Sequence, residues 1–108
     1  MYRIFYVSSV SPFFSENMVI DLCSKAEIYN REVGIGGALL YNGKNFAQVL
    51  EGERTIVRSL FEKIGKDIRH SNLIVMKEVE AKERYFKEWG MSLSDGFDFS
   101  MLHDAMDA

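Results

Sequence analysis

Asn42-Gly43 stands between two strand-like runs, Ile35 to Tyr41 and Lys44 to Glu51. Asn and Gly reach positive φ at little steric cost, so the pair predicts a two-residue type I′ turn and a β-hairpin. Counting back through such a turn sets Tyr41 opposite Lys44, Leu39 opposite Phe46 and Gly37 opposite Gln48. Phe46, Gln48 and Leu50 then share one face of the second strand, because side chains alternate along a strand. The amide of Gln48 is flanked by apolar residues, and a buried amide left unpaired costs roughly 1 to 3 kcal/mol, so a polar partner is expected. On this register the sheet beside Gln48 is bare backbone at Gly37, with room for a flat ligand. A glycine kept for strand twist or close helix approach is the ordinary alternative.

One helical pattern lies on each side of the hairpin. Ser15 can cap a helix running to about Tyr29, with Val19, Leu22, Ala26 and Tyr29 as its apolar stripe and Met18 and Cys23 alongside. Ile56, Val57, Leu60, Phe61, Ile64 and Ile68 line a second helix, on which Glu62 can pair with Lys66. Tyr2 to Ser8 alternates as a first strand, with Ile4, Tyr6 and Ser8 on one face and Arg3, Phe5 and Val7 on the other. Asn72 to Glu80 reads as a strand, Ala81 to Lys87 as a short helical turn and Trp89 to Leu93 as a last extended piece. The order predicts an α+β fold, a ferredoxin-like βαββαβ(β) sandwich. Its mixed five-stranded sheet carries two helices on one face, since right-handed crossovers place both on the same side. Residues 1–95 are expected to form the domain and 96–108 a tail, in which Phe97 to Met106 can form one short helix with Phe99, Leu102 and Met106 towards the sheet.

A chain of 108 residues with 47% apolar and 27% charged residues has the composition of one globular core. Its net charge of −3, without clustered Lys and Arg, gives no footprint for nucleic acid. No apolar run approaches the roughly 20 residues that span a bilayer, and the first residues lack a signal-peptide layout, so a cytoplasmic protein is expected. The single cysteine, Cys23, cannot form an internal disulfide, and two histidines far apart offer no metal-ligand spacing. Eight Phe, five Tyr and one Trp suit either a plain core or one built around something planar.

Several residues, read together, resemble the BLUF photoreceptors. Tyr6 stands in Ile-Phe-Tyr-Val-Ser, Asn30 precedes Gly34-Ile35-Gly36-Gly37, and Gln48 opens Gln-Val-Leu-Glu-Gly; Asp67 comes before Arg69-His70, and Trp89-Gly90-Met91 closes the series. The resemblance covers about residues 2 to 93. Taken singly, each residue has an ordinary reading: Tyr6 as a core aromatic, Asn30 as a helix C-cap, Arg69-His70 as a complement to a helix dipole, and Trp89 with Met91 as the edge of a core. The chain departs from the family at Tyr29, where an asparagine is frequent, at Gly36, where Thr or Ser is, and at Gly90, where Ser or Ala is.

The resemblance implies a blue-light sensor, not an enzyme, that holds a flavin without a covalent bond. FAD is the expected form, with FMN or riboflavin as alternatives. It implies that Asn30 and Gln48 hydrogen-bond the ring, that Lys63, Asp67, Arg69 and His70 contact the ring edge or the ribityl and phosphate chain, and that Tyr6, Gln48, Trp89 and Met91 form the photoswitch. The residue types suit such a switch, since a phenol can yield an electron and a proton together, and a glutamine amide has interchangeable donor and acceptor ends. The signal is then expected to pass to a separate effector protein; a homo-oligomer stays open, and neither nucleic acid nor membrane is a partner. Two other readings stand beside it, a small ferredoxin-like enzyme of acylphosphatase type and a flavin-free interaction module. The enzyme would need an anion-cradling loop with a cation near the first strand, where this chain has Ser9-Val10-Ser11-Pro12.

Overall fold

The hairpin forms, with a register two residues away from the expected one. In the computed structural model, which describes residues 1–87, 89–93 (by their backbone) and 99–108, β2 (Gly36–Tyr41) and β3 (Asn45–Gly52) pair antiparallel. Tyr41 lies opposite Phe46, Leu39 opposite Gln48 and Gly37 opposite Leu50. The cause is local. Asn42 does not take positive φ; its Oδ1 accepts the backbone N–H groups of Lys44 (2.9 Å) and Asn45 (2.8 Å), while Gly43 alone turns to φ 93°. The central pair is therefore Gly43-Lys44, with glycine first as in a type II′ turn. A shift of two leaves every side chain on its expected face, whereas a shift of one would have exchanged the faces. It does move Gly37 away from Gln48. A Cβ on Gly37 would lie 2.0 Å from the Val49 carbonyl oxygen, so close approach of two backbones, not room for a ligand, accounts for this glycine.

β1 (Tyr2–Val10) lies between β3 and β4 (His70–Glu80), and β5 (Trp89–Leu93) adds to β2, giving the order β4-β1-β3-β2-β5. Only the β2–β5 pairing is parallel, so the five-stranded sheet is mixed as expected. Alternation along β1 sends Tyr2, Ile4 and Tyr6 to one face and Phe5 to the other.

The first face is covered by α1 (Glu16–Glu32) and α2 (Arg54–Gly65). Ser15 caps α1 by accepting the Met18 N–H at 3.3 Å. The buried face of α1 carries Val19, Cys23 and Asn30, while Met18 and Tyr29 stand half exposed, so the helix is rotated slightly from its apolar stripe. Glu53 caps α2, its carboxylate accepting the N–H groups of Thr55 and Ile56, both at 3.1 Å. Val57 is buried under α2, with Ile56, Leu60, Phe61 and Ile64 packed around it; Ile68 lies past the helix end and is exposed. Among the described residues Glu62 and Lys66 form no ion pair. The opposite face is covered by α3 (Ser100–Asp107), whose Leu102 and Met106 pack on Phe5, Ala38, Leu40, Ala47 and Val49.

Residues 81–87 are not the helical turn expected of them. The amides of Tyr85 and Phe86 donate instead to the buried carboxylate of Glu51, at 2.8 and 2.9 Å, and a charged acceptor outcompetes a helical carbonyl.

Candidate functional site

A cavity of about 260 Å3 lies between the sheet and the two helices that cover its first face. β1 and β3 supply its polar floor. Tyr6 and Gln48 face each other directly across the β1–β3 ladder, both buried, and the Tyr6 hydroxyl donates to Gln48 Oε1. Burial pushes the phenol pKa well above its ordinary value, so Tyr6 stays protonated and acts as the donor. The Phe61 ring meets Tyr6 edge-on at 5.3 Å and holds the phenol in place. With Oε1 engaged, the amide nitrogen of Gln48 has no hydrogen-bond partner among the described residues.

A second buried amide lines the same cavity. Asn30, at the end of α1, is 2% exposed; its backbone carbonyl accepts the Ile35 N–H at 2.8 Å, but its side-chain amide has no partner among the described residues. Buried amides are nearly always satisfied, so two incomplete ones lining one cavity mark a place for a ligand with donors and acceptors on its edge. The remaining walls are largely apolar: Leu22, Cys23 and Ala26 from α1, Leu39 and Phe46 from the hairpin, and Leu60 and Ile64 from α2. That combination suits a planar heteroaromatic ring.

Charged groups gather where α2 runs into β4. Lys63, Asp67, Arg69 and His70 all line the cavity. Arg69 Nε binds both carboxylate oxygens of Asp67, at 2.8 and 2.9 Å, and this bonding holds the Asp67 carboxyl below its usual pKa. The Arg69 guanidinium also lies 5.6 Å from the centre of the Phe14 ring. His70 bridges three elements: Nδ1 meets Ser8 Oγ at 2.8 Å, and Nε2 donates to the Ile64 carbonyl. A carbonyl only accepts, so Nε2 carries the proton, and in the neutral ring Nδ1 accepts from the Ser8 hydroxyl.

Tyr6, Asn30, Gln48, Lys63, Asp67, Arg69 and His70, far apart in sequence, thus share one cavity. The side chains of Trp89 and Met91 lie outside the described residues; their backbone positions are opposite Gly37 and Leu39 on β2. Sequence reasoning did not assign Cys23, Leu39 or Phe46 to the cavity, although the stripe of α1 and the alternation of the hairpin carried the signal. Burial pushes the Cys23 thiol up to about 11. Nor had it found Ser8 as the partner of His70.

The loop after β1 is not built to hold an anion. The N–H groups of Val10 and Ser11 donate to the carbonyls of Lys44 and Arg69, each at 2.8 Å, and that of Phe14 donates to the Ser11 carbonyl at 3.0 Å. The Phe13 N–H meets Ser11 Oγ at 3.4 Å and Pro12 has no N–H, so the loop's amides are engaged within the loop and its neighbouring backbone and do not form an acylphosphatase-type cradle.

A ferredoxin-like sandwich with an apolar slot between its helices, walled by two incomplete amides and a protonated phenol, is a binding domain for a planar, hydrogen-bonding group. Comparison with known proteins identifies the family. The profile for "Sensors of blue-light using FAD" matches residues 1–92. The chain is 36% identical over 86 residues to photoactivated adenylate cyclase subunit beta of Euglena gracilis, covering 80% of this chain and 10% of that protein. Among solved structures it is similar to a bacterial light-regulated adenylyl cyclase (TM-score 0.81, 29% identity, 96% of this chain and 31% of that one). It is also similar to the photo-activated state of BlsA (TM-score 0.74, 35% identity, 86% of this chain and 68% of that one). The chain belongs to the BLUF family, a blue-light-sensing domain whose cofactor is FAD. It spans about a tenth of the curated cyclase and about a third of the cyclase of known structure.

Proposed function

We propose that this chain is a light switch without catalytic activity of its own, that Tyr6 and Gln48 are its moving parts, and that a separate effector protein reads its state. The observation that carries the reading is the hydrogen bond from the buried Tyr6 hydroxyl to Gln48 Oε1, which leaves the amide nitrogen of Gln48, on the wall of the cavity, without a partner among the described residues.

Residues 1–95 are the sensing unit, and the slot between α1 and α2 takes the isoalloxazine ring of FAD. FMN and riboflavin carry the same ring and fit the same slot. A flavin held there would supply blue-light absorption and one-electron redox chemistry. Tyr6, kept protonated by burial and bonded to Gln48 Oε1, would hold the transferable proton, with the Gln48 amide as its acceptor, and no substrate would be consumed. What differs afterwards is Gln48: rotated or tautomerised, its amide exchanges donor and acceptor ends and settles in a second hydrogen-bond arrangement. Asn30 would hold the ring through its buried side-chain amide. Lys63 and Arg69 favour the negative phosphate end, with Asp67 orienting Arg69 and His70 fixing the end of α2. Trp89 and Met91, on the strand beside β2, complete the switch.

The test is an absorption spectrum of the purified chain in the dark and after blue light. A structured flavin band that moves reversibly to the red is expected. Tyr6→Phe and Gln48→Leu should each keep the flavin and lose the movement. A chain that stays colourless after FAD is added would refute the reading and leave a flavin-free interaction module.

A further inference from the structure

The charged rim of the cavity adjoins two apolar side chains that stand in water. Among the described residues the most exposed large apolar side chains are Ile68 (92%) and Phe13 (89%). They are far apart in sequence, yet Arg69, which lines the cavity, joins the segments that carry them. Its backbone carbonyl accepts the Ser11 N–H at 2.8 Å, and its guanidinium lies 5.6 Å from the centre of the Phe14 ring. Ile68 immediately precedes it.

A built turn presents Phe13. The Phe14 N–H donates to the Ser11 carbonyl at 3.0 Å and closes a β-turn over residues 11–14, in which Pro12 at the second position fixes φ. The Phe13 N–H meets Ser11 Oγ at 3.4 Å. Phe14 is buried, so the turn is anchored on one side and exposes an aromatic ring on the other. Single exposed apolar residues are ordinary on a protein surface. An aromatic on a rigid turn, with a second apolar residue on the adjoining segment and a ligand cavity beside both, instead offers a surface to a flat apolar group.

The size of the cavity says which group that is. About 260 Å3 is small against the roughly 300 to 1,000 Å3 of sites that enclose a drug-sized ligand, so the cavity takes one ring system and not a whole dinucleotide. The rest of FAD has to lie outside it. At the rim Lys63 has no ion pair and Arg69 Nη1 no hydrogen-bond partner among the described residues, while Arg69 Nε and Nη2 are held by Asp67. These cations suit phosphate, but a phosphate monoester such as that of FMN carries about −1.5 to −2 at pH 7, close to the charge of the FAD diphosphate. Charge therefore hardly separates the two forms. What FAD has and FMN lacks is adenosine, whose base is a flat ring that stacks on aromatic side chains.

We infer that Phe13 and Ile68 form a shelf for the adenine of FAD and make this chain prefer FAD over FMN, with Arg69 holding the shelf at the rim. The inference rests on the reading of the cavity as a flavin slot. Stacking of one base on one aromatic side chain is worth about 5- to 150-fold in Kd.

The test is equilibrium dialysis of the flavin-free full chain against FAD and against FMN at one ionic strength, which reads binding without any photochemistry. FAD is expected to bind at least about fivefold more tightly than FMN. Phe13→Ala should bring FAD affinity down to that of FMN and leave FMN binding unchanged, whereas Phe13→Tyr, which keeps the ring, should retain the preference. Both substitutions fall on an exposed side chain, so the fold does not depend on them. Equal affinities for FAD and FMN in the unaltered chain overturn the shelf and leave the flavin slot standing. A preference that survives Phe13→Ala, or a loss that strikes FAD and FMN alike, overturns it as well. Failure of both flavins to bind the unaltered chain sinks the slot and the shelf together.

Discussion

Gly37→Ala separates two meanings of a glycine beside a binding cavity. If Gly37 gave the ligand room, alanine would weaken FAD binding and leave the fold intact. The structure predicts the reverse. The added Cβ would lie 2.0 Å from the Val49 carbonyl oxygen, whereas carbon and oxygen in close contact stand about 3.3 Å apart. β2 and β3 would have to separate by more than about 1 Å, in a sheet whose strands normally stand about 4.8 Å apart. Forcing atoms into a packed interior costs about 1 to 3 kcal/mol, and φ of 153° adds a penalty of about 1 to 3 kcal/mol for a residue with a Cβ. The combined loss is about 3 kcal/mol or more, from a total that is about 5 to 15 kcal/mol for a domain. For a domain of this size that lowers Tm by about 12 °C or more. Urea unfolding of both proteins over a series of FAD concentrations is the assay. The deficit should persist as FAD is withdrawn, because ligand-linked stability vanishes at low ligand and a backbone clash does not. A variant within about 0.5 kcal/mol of wild type at low FAD, with weakened binding, would refute the steric account.

Three further outcomes follow from the same geometry. Leu102→Ala on α3 removes a fully buried side chain and should cost about 2 to 3 kcal/mol in urea unfolding; a negligible loss would mean that α3 is not part of the folded core in solution. The Arg69 bonds hold the Asp67 carboxyl below the unfolded value of about 3.9, so the stability it contributes is present above that pH and lost as pH falls through the lower folded value. Unfolding midpoints at pH 6 and pH 3 should therefore fall less on acidification in Asp67→Asn than in wild type, and equal falls would remove this pair from the acid limb. Cys23, with its thiol pushed up to about 11 by burial, should be alkylated by iodoacetamide at pH 8 more than about 100-fold slower than a free thiol of pKa about 8.5. A rate near that of the free thiol would contradict its place in the cavity wall.

Much of the fold was legible because period and turn chemistry act locally. The alternation of β1, the stripe of α2 and the hairpin at Asn42-Gly43 each followed from a few neighbouring residues, and together they implied the mixed sheet. What failed was decided by longer-range contacts. Residues 81–87 read as a helical turn until Glu51, some 30 residues earlier in the chain, accepted the amides of Tyr85 and Phe86. Tyr29 read as part of the apolar stripe, yet it is 42% exposed, because α1 turns Cys23 and Asn30 towards the sheet. The register of the hairpin slipped for a smaller reason: the Asn42 side chain can serve as a turn acceptor as well as adopt positive φ, and the sequence does not say which.

The site was legible in a different way. No single residue required a cavity, since a buried Tyr, Asn or Gln has common structural uses; the joint spacing pointed to a family, and only the fold brought seven residues to one cavity. The two-residue slip shows why the reading survived a wrong neighbour. Gln48 faces the cavity because of its parity along β3, which any even shift preserves, whereas its partner across the strand depends on the shift itself. The expected pairing of Gly37 with Gln48 depended on the second property and failed; the shared face of Phe46, Gln48 and Leu50 depended on the first and held. By the same parity Arg3 and Glu51 had to face away from the cavity, so the strands that carry the Tyr6–Gln48 pair also carry, on their other side, the residues that grip α3.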